Sequence, residues 1–280
     1  MSNTAFQTQY RQEFINGFEQ RKSLLLPSVT TEAVIKGNQA VFLVADSGDA
    51  SAVTRGVNGR IPSRPDNLDQ KTAILQEWND LVTKTGFNIF ASQSDQKLIM
   101  QQTTMAVLNR KIDELIINEL DTATGSKGSA SVAASVDLFQ RGRVALTNAE
   151  VPWDSQITLL AQPSFIANLE RDDAFANAEY VSLKPYAGDD MSWRDVPMMY
   201  KWRSAMICEH PRLPGKGTSS EKSFLFHRSA IGHAADVKGM ESAVGYDDEQ
   251  GYSYARCTMN MGSRLLQNEG VIPFIHDTLA

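Results

Sequence analysis

The sequence predicts an α+β fold on three observations. Residues 94–122 place apolar side chains at helical spacing for about eight turns. Residues 252–259 alternate Tyr252, Tyr254, Arg256 and Thr258 against Ser253, Ala255, Cys257 and Met259, which is the period of a strand. No unit of about 20–50 residues repeats, so solenoids and propellers are excluded. A chain of 280 residues, 42% hydrophobic and 21% charged, has the length for one or two packed cores and needs no disulfide framework from its two cysteines.

Taken in order, residues 4–22 read as a helix with Phe6, Tyr10, Phe14 and Phe18 along one side. A helix this short is marginal in water unless that stripe is covered, so it must dock on its own core or on a partner. Pro27 stops it. Two short apolar runs, 33–35 and 41–44, flank Lys36-Gly37-Asn38 as strands flank a turn. A 26-residue stretch then runs from Asp46 to Lys71 before apolar residues resume at 73–75. Loops of that length are uncommon inside compact domains, so the stretch is expected to protrude as a two-stranded excursion that lies on something outside its own core.

Within it, Arg55, Arg60 and Arg64 are spaced to present guanidinium forks, but four acids, including Asp66 and Asp69, balance four bases. That balance favours a docking surface or a solvated loop over nucleic-acid binding. The long helix follows, with Leu98, Met105, Leu108, Ile112, Leu115, Ile116 and Leu120 on one stripe, Ser94 and Asp95 at its start and Gly125 past its end. At about 40 Å it is long enough to act as a spine. Gly125 to Ser131 is a small-residue break, 131–148 a second helix, 156–161 a buried strand, and Pro163-Ser164 opens a helix through Phe165, Ile166, Leu169 and Phe175. Residues 224–226 form a buried strand leading into 229–235, and Glu269-Gly270 turns the chain into a last strand, 271–275.

Catalytic spacings are missing. The sequence has no Gly-x-Ser-x-Gly, no phosphate loop, no His-Glu-x-x-His and no Cys-x-x-Cys. Pro214-Gly215-Lys216-Gly217-Thr218 lacks the upstream glycine of a phosphate loop and reads as an exposed turn. Cys208, Glu209 and His210 stand together, but neighbours on a strand point apart and no second cluster completes a metal site. His227, His233 and His276 read as scattered core or surface residues. No catalytic residue, metal or cofactor is expected. No run approaches the ~18 apolar residues of a membrane span, the start MSNTAFQTQYRQEF lacks the features of a secretory signal, and a net charge of −6 gives no general attraction to nucleic acid.

Three passages carry a resemblance. They are ITLLAQPSFIANLERDDAFANAEY after Val151-Pro152, SFLFHRSAIGHA, and YSYARCTMNMGSRLLQNEGVIPF with Gly262 and Glu269-Gly270-Val271. In order, and together with the arm helix, the charged excursion and the spine, they resemble the major capsid protein of tailed, podovirus-like bacteriophages, the Hong Kong 97 fold. The resemblance implies an N-terminal arm at 1–31, an extended E-loop at 38–74, a peripheral domain at 32–37, 75–125 and 246–280, and an axial domain at 126–245. It further implies a virion shell of hexamers and pentamers around double-stranded DNA, assembled in the host cytoplasm. The partners would be a portal, a separate scaffolding protein and a decoration or cement protein.

Phe6, Tyr10, Phe14 and Phe18 would then serve as arm contacts, and Arg55, Arg60, Arg64, Asp66 and Asp69 as E-loop contacts between subunits. Some relatives cross-link subunits by a Lys-Asn bond. Lys71 lies near the excursion without a matching partner or acid, so no cross-link is expected. The alternatives are an encapsulin-type compartment shell, a soluble α/β enzyme using Cys208 and His210 or Lys216, and a virion decoration or tail component.

Overall fold

The structure is a computed structural model and describes residues 20–34, 36–47, 50–64, 67–86, 88, 96–176 and 198–277. In chain order the elements are β1 (Thr30–Val34), β2 (Gln39–Asp46), β3 (Asn67–Ile74), β4 (Gln76–Thr85), α1 (Gln96–Asp121), β5 (Lys127–Ala133), α2 (Val136–Asn148), β6 (Ile157–Ala161), α3 (Pro163–Arg171) and α4 (Asp173–Ala176). They continue with β7 (Met198–Trp202), β8 (Ala205–Glu209), β9 (Glu221–His227), β10 (Ile231–Asp236), β11 (Glu241–Asp247), β12 (Tyr252–Leu265) and β13 (Val271–Asp277). The mixture of antiparallel-rich sheets and separate helices is the predicted α+β class. Residues 4–19 of the arm helix, Ser94, Asp95 and Asp66 lie outside the described residues, and residues 20–22, expected to end that helix, are not helical.

The strand β12 organises the first sheet. One side pairs along its length with β4, from Tyr252↔Thr85 to Met261↔Gln76. The other side pairs first with β11 and then with β10, which carries β1 at the edge. The predicted alternation holds: Ser253, Ala255, Cys257, Met259 and Met261 are buried, while Tyr252, Tyr254, Arg256 and Thr258 are not. The buried side faces α1, whose Leu108, Ile112, Ile116 and Leu120 pack with Cys257, Met259, Met261, Leu25 and Val29.

The sequence reading needs four corrections. Leu98 and Met105 are 50% and 38% exposed rather than on the buried stripe, which runs instead through Met100, Thr104 and Ala106. The strand β4 had no sequence signal, because its inward positions, Trp78, Asp80, Val82 and Lys84, mix charge with apolar groups. The small-residue break is not a linker: Lys127–Ala133 forms β5 and pairs in parallel with β13. The second helix therefore starts at Val136, not Ser131, where the Ser135 side chain accepts a hydrogen bond from the Leu138 amide.

The six-stranded sheet runs β5-β13-β9-β6-β8-β7. Every residue of β6 is buried because both faces are covered. Leu160, Phe224 and Phe226 face the core under α1. Leu159, Ile207 and Leu225 face a second core with Phe139 of α2 and Phe165 and Leu169 of α3. There Trp202 sits between Phe139 and Phe175, with ring centroids 5.0 and 5.5 Å away.

The two sheets meet along a hydrogen-bonded ribbon. The antiparallel pair β9/β13 ends at Phe226↔Val271, and the antiparallel pair β10/β12 begins at Ile231↔Leu265. Between them the Ala230 carbonyl accepts from the Leu266 and Gln267 amides, at 2.8 and 3.3 Å, and Gly270 abuts Ala230 so closely that a Cβ would stand 2.7 Å from the alanine Cβ.

Candidate assembly surface

The excursion is a hairpin. Its strands β2 and β3 pair from Gln39↔Ile74 to Asp46↔Asn67, so the pairing frames the stretch expected to be two-stranded, Asp46 to Lys71, and the described residues 50–64 within it form no strand. Because opposed residues share a face, Ala40, Phe42, Lys71 and Ala73 lie on one side and Val41, Leu43, Leu68 and Ile74 on the other. The first side packs against the body together with Ala234 and Leu266. Two glycines make this seat. A Cβ at Gly232 would meet the Phe42 ring at 2.8 Å, and one at Gly262 would meet the Ile74 carbonyl oxygen at 2.1 Å. The second side carries these four aliphatic residues, each at least half exposed, interleaved with Gln39, Gln70 and Thr72.

Beyond Asp46, Arg55, Arg60 and Arg64 are all exposed. The Gly56 amide donates to the Arg60 carbonyl at 3.0 Å and the Gly59 amide to that of Gly56 at 2.8 Å, which closes a tight turn with Val57 fully exposed at its apex. Val53 and Ile61 are exposed on either side. Arg64 Nη1 donates to the Ser47 carbonyl at 3.1 Å. Asp69 pairs within its own strand with Lys71, at 2.7 Å, and the lysine holds that carboxyl below its ordinary value.

A second contact was missed in the sequence. Asp113, 1% exposed on the buried face of α1, receives the chain just ahead of β1. Ser23 Oγ donates to its Oδ1 at 2.6 Å, the Leu24 amide to Oδ2 at 3.0 Å and the Leu25 amide to Oδ1 at 3.2 Å; Gln20 Nε2 adds a further bond. From the other side His210 Nε2 stands 3.5 Å from Oδ2, at the outer limit of a hydrogen bond, with no other partner. Burial opposes the charge of Asp113, but the hydrogen bonds from His210, Leu24, Ser23 and Gln20 outweigh it and hold the carboxyl below its ordinary value. One turn earlier Asn109 Nδ2 donates to the Arg21 carbonyl at 2.8 Å.

The candidates for chemistry are otherwise engaged. Burial pushes the Cys208 thiol up to about 11, so it holds no thiolate at neutral pH. In the turn at 214–218 the Gly217 amide donates to Glu221 Oε1 at 2.7 Å, so it is turned towards a carboxylate rather than a phosphate. His227, His233 and His276 are core residues, each within 9% of full burial. Among the described residues no group of three His, Cys, Asp or Glu side chains is placed to hold a metal ion, and no helix is long and apolar enough to cross a membrane.

The phage capsid protein family model matches residues 2–277. The chain belongs to the phage capsid protein family. The capsid protein is also similar in fold to solved phage structures. It superposes on the capsid of Ralstonia phage GP4 with a TM-score of 0.74 at 12% identity, covering 98% of this chain and 96% of that one. For a chain of Mycobacterium phage Che8 the TM-score is 0.72 at 15% identity, covering 98% of both. For the head of Helicobacter pylori bacteriophage KHP40 it is 0.72 at 13%, covering 99% and 96%. No curated protein sequence matches the capsid protein. It is a major capsid protein of the Hong Kong 97 type, a structural subunit of the virion shell rather than an enzyme.

Proposed function

We propose that the capsid protein forms hexamers and pentamers of an icosahedral head, and that its hairpin is the E-loop that lies on a neighbouring subunit. The exposed apolar face of β2 and β3 carries this reading, because four aliphatic side chains on a surface hairpin gain stability only when another chain covers them. On the same reading residues 1–31 are the N-arm, 38–74 the E-loop, 32–37, 75–125 and 246–280 the peripheral domain, and 126–245 the axial domain. Arg55, Arg60 and Arg64, with Asp66 and Asp69, would steer the loop onto acids and bases of the neighbour. Phe6, Tyr10, Phe14 and Phe18 would hold the arm.

The head encloses double-stranded DNA without sequence-specific contacts, and the net charge of −6 keeps the wall from adhering to phosphate. A portal protein, a separate scaffolding protein and a decoration protein are the partner classes, and assembly takes place in the host cytoplasm. Electron microscopy and sedimentation of the chain, expressed alone and with its neighbouring genes, test the reading. Closed shells or capsomer rings containing nucleic acid are expected. A monomer or dimer under every condition overturns the shell, and particles filled with a protein cargo overturn the DNA head.

Two narrower outcomes follow. Reversing Arg55, Arg60 and Arg64 to glutamate should lower particle yield and make the remaining particles more sensitive to salt; unchanged yield and salt tolerance would count against the steering role. Deleting residues 1–22 should stop assembly and leave the body folded, since Leu25 and Val29 keep their places in the core. Particles of normal size from the shortened chain would remove the arm from the assembly mechanism.

A further inference from the structure

Residues 20–25 are held in a way that the assembly reading does not explain by itself. Four donors from six consecutive residues converge on one buried carboxylate, Asp113, near the middle of the spine helix. Asn109, one turn away on the same helix, takes the Arg21 carbonyl. Leu26 donates its amide to Ser23 Oγ at 3.3 Å, which ties the next turn into the same knot. Leu25 and Val29 are then fully buried against α1, whereas Arg21 and Lys22 are exposed.

The apolar residues alone would secure the chain from Leu25 onward. The carboxylate extends the fixed path N-terminally to Gln20, through a stretch in which Leu24 is only half-buried and Arg21 and Lys22 are exposed. A buried charge is costly unless it is fully paired, and here most of the pairing comes from the strap itself.

We infer that Asp113 is the positioning residue of the arm: it fixes residues 20–25 on the spine helix, and with them the point at which residues 1–19 join the body. With Asp113 in place the chain is held from Gln20 onward. Without it residues 20–24 join the tether and add about 17 Å of extended chain, so the arm reaches a wider range of neighbour positions at lower effective concentration. In a shell this distinguishes one subunit spacing from a mixture of spacings. The assembly half of the inference rests on the shell reading above; the anchoring half does not.

The test uses the full chain in two variants. Asp113→Asn removes the charge and one pair of acceptor positions. The double variant Gln20→Ala with Ser23→Ala removes the strap's side-chain donors and leaves Asp113 and its approach to His210 in place, so it decides the matter if Asp113→Asn fails to fold. Trypsin cleavage after Arg21 and Lys22, read by fragment mass on unassembled protein, should accelerate tenfold or more in either folded variant, while cleavage elsewhere in the body stays unchanged. Assembled particles should spread over several diameters.

Unchanged cleavage in the double variant overturns the anchor. Accelerated cleavage with particles of one unchanged diameter overturns the positioning role and leaves only a stabilising contact. If the wild type forms no shells, the shell reading fails, and the cleavage rate still judges the anchor.

Discussion

Replacing Gly262 with valine is expected to abolish shell formation while the body of the capsid protein still folds. The Ile74 carbonyl already occupies the place of a side chain at 262, with its carbonyl carbon 3.0 Å and the Leu75 Cα 3.5 Å from that point. These are backbone atoms between β3 and β4 and cannot swing aside as a side chain would. The Leu75 amide is also tied to the Asn38 carbonyl at 2.8 Å. The hairpin must lift from its seat, at a cost of about 1–3 kcal/mol or more for the overpacked contact.

The lift matters more for assembly than for stability. Eight paired residues extend the hairpin about 26 Å, so a displacement of about 1 Å at the base becomes several ångströms at the arginine-bearing end. Gly262→Ala should show the milder form, with a melting temperature lower by a few degrees and shell yield down by about tenfold or more. Sedimentation of both variants beside a circular-dichroism melt measures the two effects. Normal yield from Gly262→Val would show that the hairpin's seat has no part in assembly.

Acid is the second large lever. Burial pushes His233 down to about 4, against a smaller opposing pull from Asp113, and lowers His276 as well, against Glu221 and Asp277. Below the ordinary histidine value the unfolded chain takes up protons that the folded chain refuses. Stability is therefore full above about pH 6.5 and falls as the pH drops towards 4. For His233 alone the loss reaches about 3 kcal/mol per chain by the lower end of that window. Asp113 has the opposite chemistry and a lower window: its contribution is present above the ordinary aspartate range and disappears only as the pH falls below it.

Unassembled protein should thus lose on the order of 10 °C in melting temperature between pH 7 and pH 4.5. His233→Asn can keep the hydrogen bond to Ser263, 2.9 Å from Nδ1, without a titrating ring, and should flatten the slope. A wild-type melting temperature constant over that range would refute the assignment.

The sequence shows this fold where one physical signal acts alone. The spine was legible because Leu108, Ile112, Ile116 and Leu120 are apolar and buried at helical spacing, and β12 because its two sides meet different surroundings. The excursion was legible from its length alone, although its paired strands frame the charged stretch and do not fill it. Signals failed where two requirements compete in one residue. Asp113 interrupts an apolar stripe and so reads as a surface position, although it is among the most buried polar groups of the chain. The outer face of the hairpin reads as ordinary strand alternation, since Val41 and Leu43 on one side answer Phe42 and Val44 on the other, and which side is left open depends on the seat formed by Gly232 and Gly262. The segment at 127–133 passes for a linker because its small residues serve a parallel edge pairing rather than a core.

The ribbon at Ala230 and Gly270 bears on how the shell wall deforms. A single peptide linker between two sheets acts as a swivel with several degrees of freedom. Here both chains pass from one sheet to the next side by side, each through a short 3-10 turn at Arg228–Ala230 and Asn268–Gly270, and sliding would have to break the bonds from the Leu266 and Gln267 amides to the Ala230 carbonyl. The remaining soft mode is flexure about the line through Ala230 and Gly270, as in a leaf spring. Subunits joined in this way store curvature as bending of one ribbon, and a change in shell radius loads that line before it loads either core.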